Sequence, residues 1–161
     1  MSWFDRRRAL AGLAALALAA GCGFRPAYAP GGKGTALEGQ VKADDPTNRD
    51  GFLLVEALER RLGVPRNPRY RLSYSLSISS SGLGINSSAS TTRYHLVGKL
   101  SYTLRDAATG ETLDSGEVES FTAYSTTAAA IADDAAATGA RERLITILAD
   151  KLVARLLTAP L

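Results

Sequence analysis

Cysteine and histidine each occur once in these 161 residues, as Cys22 and His95. A single cysteine excludes an intramolecular disulfide. One cysteine and one histidine together exclude a structural zinc site, which needs several such ligands at set spacings. No apolar run is long enough to span a bilayer, which takes about 20 residues; the longest is Ala9 to Ala20. Beyond the first residues there is no basic block and no basic helix face, so the sequence pI of 9.2 is not the footprint of a nucleic-acid binder. Arg6, Arg7 and Arg8 against Asp5 supply +2 of the net charge of +3, which leaves the remainder near +1. No Gly-x-Ser-x-Gly elbow occurs, and His95, the one candidate base for a nucleophile, sits beside serines in the middle of an alternating segment. Gly31-Gly32-Lys33-Gly34-Thr35 lacks the Ser or Thr after lysine and the preceding strand of a phosphate loop, and Gly82-Leu83-Gly84 lacks the third glycine of a dinucleotide fingerprint. Asp44-Asp45 and Asp133-Asp134 are sequence neighbours whose side chains diverge, so neither is a natural acid/base pair. The sequence offers no catalytic constellation, no metal and no cofactor.

What is present begins at the amino terminus. Three arginines, a short run of Ala and Leu, and small residues at Ala19-Ala20-Gly21 before Cys22 describe a secretory signal. Small residues are needed there because a peptidase must bind the extended backbone closely. A cysteine just after the cut resembles the lipobox of bacterial lipoproteins, although Ala19 stands where Leu is usual and Leu18 lies one step back. An unpaired cysteine in an exported chain calls for an explanation, and acylation of its thiol supplies one. One acyl chain anchors only marginally, at about 0.8 kcal/mol per buried methylene, so stable attachment needs more than one. Gly23, where Asp would resemble the inner-membrane retention signal of enteric bacteria, favours the outer membrane. The expected organisation is a signal peptide over 1–21, a lipidated Gly/Pro-rich tether over 22–36 and one α+β domain over 37–161.

Along that domain the periodicity switches several times. Leu37, Gly39 and Val41 alternate with polar residues and suggest a short strand over 37–43. Asp44 to Asp50 contains Pro46 and reads as loop. Phe52, Val55, Leu58 and Leu62, with Leu54 and Ala57, fall at helical spacing over 49–62. Asn48 or Asp50 is the expected cap, and Gly63 and Pro65 end the helix. Tyr70, Leu72, Tyr74, Leu76 and Ile78 then alternate strictly with polar residues, as a strand with one wet face does. Ser79 to Thr92 is uncharged, rich in Ser and Gly, and reads as a long loop. A second strand carries Tyr94, Leu96, Leu100, Tyr102 and Leu104 on one face, with His95, Val97, Lys99, Ser101 and Thr103 on the other. Asp106 to Gly110 is a tight hairpin connection into a third strand ending near Tyr124. The chain closes with a helix from about Thr127, striped by Leu144, Ile145, Leu148, Leu152 and Leu156, with Gly139 as a weak point and Pro160 as the stop.

The order β-α-β-β-β-α implies an α+β two-layer sandwich: a four-stranded, mainly antiparallel sheet with two helices on one face. The uncovered face then holds Arg69, Arg71, the serines Ser73 to Ser77, Lys99, Ser101 and Thr103.

Cys22-Gly23-Phe24-Arg25-Pro26, Thr92-Arg93-Tyr94, Leu100 to Asp106, Thr109-Gly110, Ser115-Gly116 and Tyr124-Ser125 follow one another in an order and spacing that resembles the LPS-assembly lipoprotein family LptE in its alphaproteobacterial form. Ala27 departs from the usual Leu, and Tyr28 fits. The resemblance implies a non-catalytic plug of the outer-membrane β-barrel LptD, a role in delivering lipopolysaccharide to the cell surface, lipid attachment at Cys22 and a location on the periplasmic side of the outer membrane. Lipopolysaccharide is anionic, so cations on the open face, Arg69, Arg71, Arg93 and Lys99, are the candidate lipopolysaccharide or barrel contacts. Two other classes fit the anchor: an auxiliary lipoprotein of another envelope transport system, and a lipid-anchored hydrolase, which would have to use His95.

Overall fold

The computed structural model describes residues 28–29, 31–85, 91–127 and 129–160. The signal segment and Cys22 therefore lie outside the described residues. A four-stranded sheet in the order β1-β2-β3-β4 is built from β1 (Val41–Ala43), β2 (Tyr70–Ile85), β3 (Thr91–Asp106) and β4 (Thr112–Ser125). β1 runs parallel to β2, and the other two pairings are antiparallel. The helices are α1 (Lys33–Leu37), α2 (Arg49–Leu62) and α3 (Ala130–Thr158). The expected α+β sandwich, with α2 and α3 on one face of a mainly antiparallel sheet, is the observed architecture.

Four local expectations are corrected. The strand expected over 37–43 is confined to Val41–Ala43; Lys33–Leu37 forms a short helix instead, with Gly34 and Leu37 buried and the Lys33 ammonium donating to the Ala159 carbonyl at the end of α3. The loop expected over 79–92 is largely strand, because β2 continues to Ile85 and β3 begins at Thr91. Serine tolerates a pleated edge when a neighbouring strand takes up its backbone groups, and the β2–β3 register runs unbroken from Tyr70 to Gly82. α3 starts at Ala130 and not near Thr127, since Ala129 is extended and the Asp133 carboxylate accepts the Thr127 N–H at 2.7 Å. Phe52, expected on the apolar stripe of α2, is 60% exposed; the buried line is Gly51, Leu54, Ala57, Leu58 and Leu62. At Gly139, α3 passes through as one continuous helix.

Capping explains where α2 begins and ends. Asn48 Oδ1 accepts from the Gly51 N–H at 2.8 Å, and Gly63 closes the helix at φ +78° with its N–H on the Glu59 carbonyl. Asp50 is thereby free to make a two-point ion pair with Arg141, at 2.7 and 2.5 Å, which ties the first turn of α2 to α3.

The core lies between the helices and one sheet face. Leu72, Leu100 and Leu104 from the sheet meet Leu54 from α2 and Leu144, Leu148, Leu152 and Leu156 from α3, all fully buried. Each such leucine contributes roughly 1.5–3 kcal/mol on removal from water. α3 comes closest over Gly98, where an added Cβ would lie 2.8 Å from Leu148 Cδ1 and 3.1 Å from Leu144 Cδ2. No helix among the described residues is long and apolar enough to cross a membrane.

Candidate functional site

Directly paired residues share a sheet face, so the register defines the side that α2 and α3 leave open. It carries Ser73, Ser75 and Ser77 from β2, Lys99, Ser101 and Thr103 from β3, and Glu117 and Glu119 from β4. One of its rows is neutralised internally and a second is joined by a hydrogen bond. Lys99 pairs with Glu119 at 3.4 Å, and the Ser101 hydroxyl donates to Glu117 at 3.2 Å. Both charges of the Lys99 pair are half exposed, so the pair contributes little to stability.

The four candidate cations do not converge. Arg69 precedes β2, lies 5.4 Å from the Tyr70 ring centre and approaches Asp106 at 3.9 Å. Arg71 stands on the open face at the same end of the sheet, opposite Arg105. Lys99 lies six residues back along β3, and Arg93 six more, opposite Ser125. At about 3.4 Å per residue, those steps are roughly 20 Å each. Arg71, Lys99 and Arg93 are therefore strung along one face and form no single pocket.

The register does assemble a different group. Lys42 on β1 is partnered with Arg71 on β2, which is partnered with Arg105 on β3. All three are exposed, and among the described residues none has a carboxylate within 4 Å. Lys42 and Arg105 were missed from the sequence. Arg105 continues the alternation of Lys99, Ser101 and Thr103 by one step, so its signal was legible; Lys42 needed the parallel β1–β2 pairing, which sequence spacing does not give.

At the other end of the open face, His95 packs against Phe121 with the rings tilted at 55° and their centres 4.8 Å apart. Ser81 and Ala123 are its register partners, so no acid stands beside it to orient the imidazole as a base. Phe121 is 64% exposed, a large apolar ring opposite Val97 on the open face. On the covered face, Tyr94 and Tyr124 stack at 5.2 Å where the sheet extends toward the start of α3. Among the described residues no group of His, Cys, Asp and Glu is placed to hold a metal ion.

Among the groups shifted from their ordinary values, Tyr102 and Asp106 have causes in the β3–β4 pair. Burial pushes the Tyr102 hydroxyl up to about 12, helped by its donation to Asp114 at 2.9 Å and by that carboxylate's charge. Asp106 is held below the usual carboxylate range, first by the Thr109 N–H and then by the Ala108 N–H, both donating to Oδ1 in the β3–β4 turn. Gly110, at φ +75°, completes that turn. These groups build the hairpin and the strand–helix seam, where Tyr102 and Asp114 line an open hollow with Glu117 and Arg155.

Comparisons with known proteins bear on the family and fold of this domain with its long open face. A family model described as LptE, lipopolysaccharide-assembly, matches residues 40–156. No curated protein sequence matches the chain. Among solved structures, a protein described as a lipoprotein from Caulobacter crescentus superposes with a TM-score of 0.66 at 22% identity, over 78% of this chain and 93% of that one. The minor lipoprotein of Acinetobacter baumannii gives 0.55 at 14% identity, over 75% and 92% of the two chains. The rare lipoprotein B of Shewanella oneidensis gives 0.51 at 16% identity, over 74% and 92%. At these identities the structures establish a shared fold; the family rests on the model match, which spans nearly the whole domain. The chain belongs to the LptE family of lipopolysaccharide-assembly proteins.

Proposed function

We propose that this chain is exported, cleaved before Cys22, lipidated on that cysteine and held on the periplasmic side of the outer membrane. There it plugs and helps assemble an LptD-like β-barrel, and the pair delivers lipopolysaccharide to the cell surface. The match of residues 40–156 to the LptE family carries this reading. The shape of the domain supports it. Along its length the open sheet face is lined by serine, threonine and charged side chains, which suits the polar lumen of a large barrel. The work of such a plug is steric and electrostatic, with no bond made or broken. Of the four candidate cations, Arg93 and Lys99 lie on the part of the face that enters the lumen in this reading, and Arg93 has no ion-pair partner among the described residues. Lipopolysaccharide phosphates or acidic lumen residues would meet them.

The test is gentle detergent extraction of the tagged protein from membranes, with mass spectrometry of what accompanies it. Recovery of a large barrel protein in near-equal amount is the expected result. Recovery of an inner-membrane transporter instead would favour an auxiliary lipoprotein of another envelope system.

A further inference from the structure

Three cations in directly opposed positions on adjacent strands are an unfavourable arrangement for a sheet standing alone, since like charges facing each other destabilise the pairing. Lys42, Arg71 and Arg105 are so placed, across strands spaced about 4.8 Å apart, which puts the three stems within roughly 10 Å. Of the other cations at this end of the domain, Arg61 holds Asp150 at 2.7 Å and Arg69 approaches Asp106, while Arg66 stands apart in the loop before β2. Asp44 and Asp45 line a shallow hollow together with Lys42 and Arg71, yet neither closes an ion pair with them. A row of two guanidinium groups and one ammonium, exposed and without ion pairs, has the charge and the hydrogen-bond donors to meet phosphate groups.

The position of the row says which phosphates. The chain arrives at this same end. Ala29 accepts the Gly32 N–H, α1 packs beside the end of α3, and the Gly39 N–H donates to the Leu62 carbonyl just before Lys42. Five residues separate Cys22 from Tyr28, a span of no more than about 22 Å when fully extended. Tyr28 is 57% exposed, and Val64, which follows Gly63 beside Gly39, is 66% exposed. An exposed tyrosine and an exposed valine at the end of the domain where the chain arrives are side chains that a surface resting at a bilayer interface presents.

We infer that Lys42, Arg71 and Arg105 form a binding site for the phosphate headgroups of anionic phospholipids, which seats the anchored end of the domain on the leaflet that holds its lipid. The choice of a membrane source for the phosphate rests on the lipid anchor at Cys22 proposed above; the anion site itself does not. Seating fixes the long axis of the sheet relative to the bilayer, so that the Arg93 end projects away from the anchor. Each cation close to an anionic surface strengthens binding about five-fold, so removing three should weaken it on the order of 100-fold.

Native mass spectrometry of the full protein, purified from membranes in mild detergent, tests this by titration with phosphatidylglycerol, phosphatidylcholine or inorganic phosphate. The expected result is saturable retention of phosphatidylglycerol in preference to phosphatidylcholine. That retention should be lost on the order of 100-fold in the triple variant K42Q/R71Q/R105Q and kept in R60Q/R143Q, which removes two exposed cations from the helices. Equal retention of the two lipids, or undiminished retention in the folded triple variant, overturns the site. Retention of inorganic phosphate as tight as that of phosphatidylglycerol makes it a soluble-anion site and overturns the membrane assignment. The intact mass of the same sample reports the acyl chains on Cys22, so failure of the anchor is read separately from failure of the row.

Discussion

Gly98 is where the sheet lets α3 come close, and replacing it tests how the two layers are joined. An added Cβ would meet Leu148 Cδ1 at 2.8 Å and Leu144 Cδ2 and Cγ at 3.1 and 3.2 Å. Comfortable carbon–carbon contact lies at about 3.5–4.0 Å, so the overlap is roughly 0.7 Å at the nearest atom. Leu144 and Leu148 are both fully buried, which leaves them little room to change rotamer. Overpacking of this kind costs about 1–3 kcal/mol. Removing a glycine from a strand interior returns roughly 0.5–1 kcal/mol. Gly98→Ala should therefore destabilise the domain by about 1–2 kcal/mol, and Gly98→Val should exceed ~3 kcal/mol or prevent folding. Truncating the obstructing side chain provides the control. Leu148→Ala alone should cost about 2–5 kcal/mol. The pair Gly98→Ala/Leu148→Ala should then be more stable than the sum of the single changes by at least about 1 kcal/mol, because the new methyl occupies vacated space. Urea denaturation followed by far-ultraviolet circular dichroism measures all three. A Gly98→Ala protein as stable as the parent, or strictly additive double-mutant energies, would refute the close-approach argument.

Further predictions concern titration, the hairpin and processing. Phenolate absorbance should show one tyrosine ionising near pH 12, absent in Tyr102→Phe and moved toward the ordinary value in Asp114→Asn, where burial remains but the carboxylate does not. Because the folded-state value is raised, this group's contribution to stability is intact below the ordinary tyrosine value of about 10 and is lost as pH rises from there to about 12; a Tyr102→Phe protein with an unchanged alkaline unfolding profile would contradict it. For Asp106 the sign is opposite. Its lowered pKa gives stability that is present above the ordinary carboxylate range and lost as pH falls through the folded-state value, so Asp106→Ala should unfold less steeply in acid. Cys22→Ala should accumulate uncut precursor without acyl chains; mature protein still arriving at the outer membrane would end the anchor proposal.

The alternation in β2 and β3 was readable because each strand has one face against the helices and one in water, the condition under which period-two patterns survive. Tyr70 to Ile78 and Leu100 to Leu104 accordingly sit as the pattern implies. Gly98 broke that pattern between Leu96 and Leu100, and the break is the point of closest helix packing, a fact about the third dimension that a one-sequence period cannot carry. The serines of 79–85 read as loop because composition alone cannot show that a partner strand satisfies their backbone groups. Phe52 read as core because aromatic residues usually are, yet the line through Leu54 and Leu58 faces the sheet and leaves it outside. In the candidate site, Arg71 was found from the sequence as one of a scattered set. Its grouping with Lys42 and Arg105 came only from the parallel pairing of a three-residue strand.

A plug is enclosed by its barrel, whereas a peripheral subunit touches its partner on one side only. Site-specific photo-crosslinking in cells, from Ser101 on the open sheet face and from Ile147 on the outward side of α3, separates the two directly. The account expects both positions to crosslink to the same large barrel protein. Crosslinks from one face alone, or from neither, would contradict the plug.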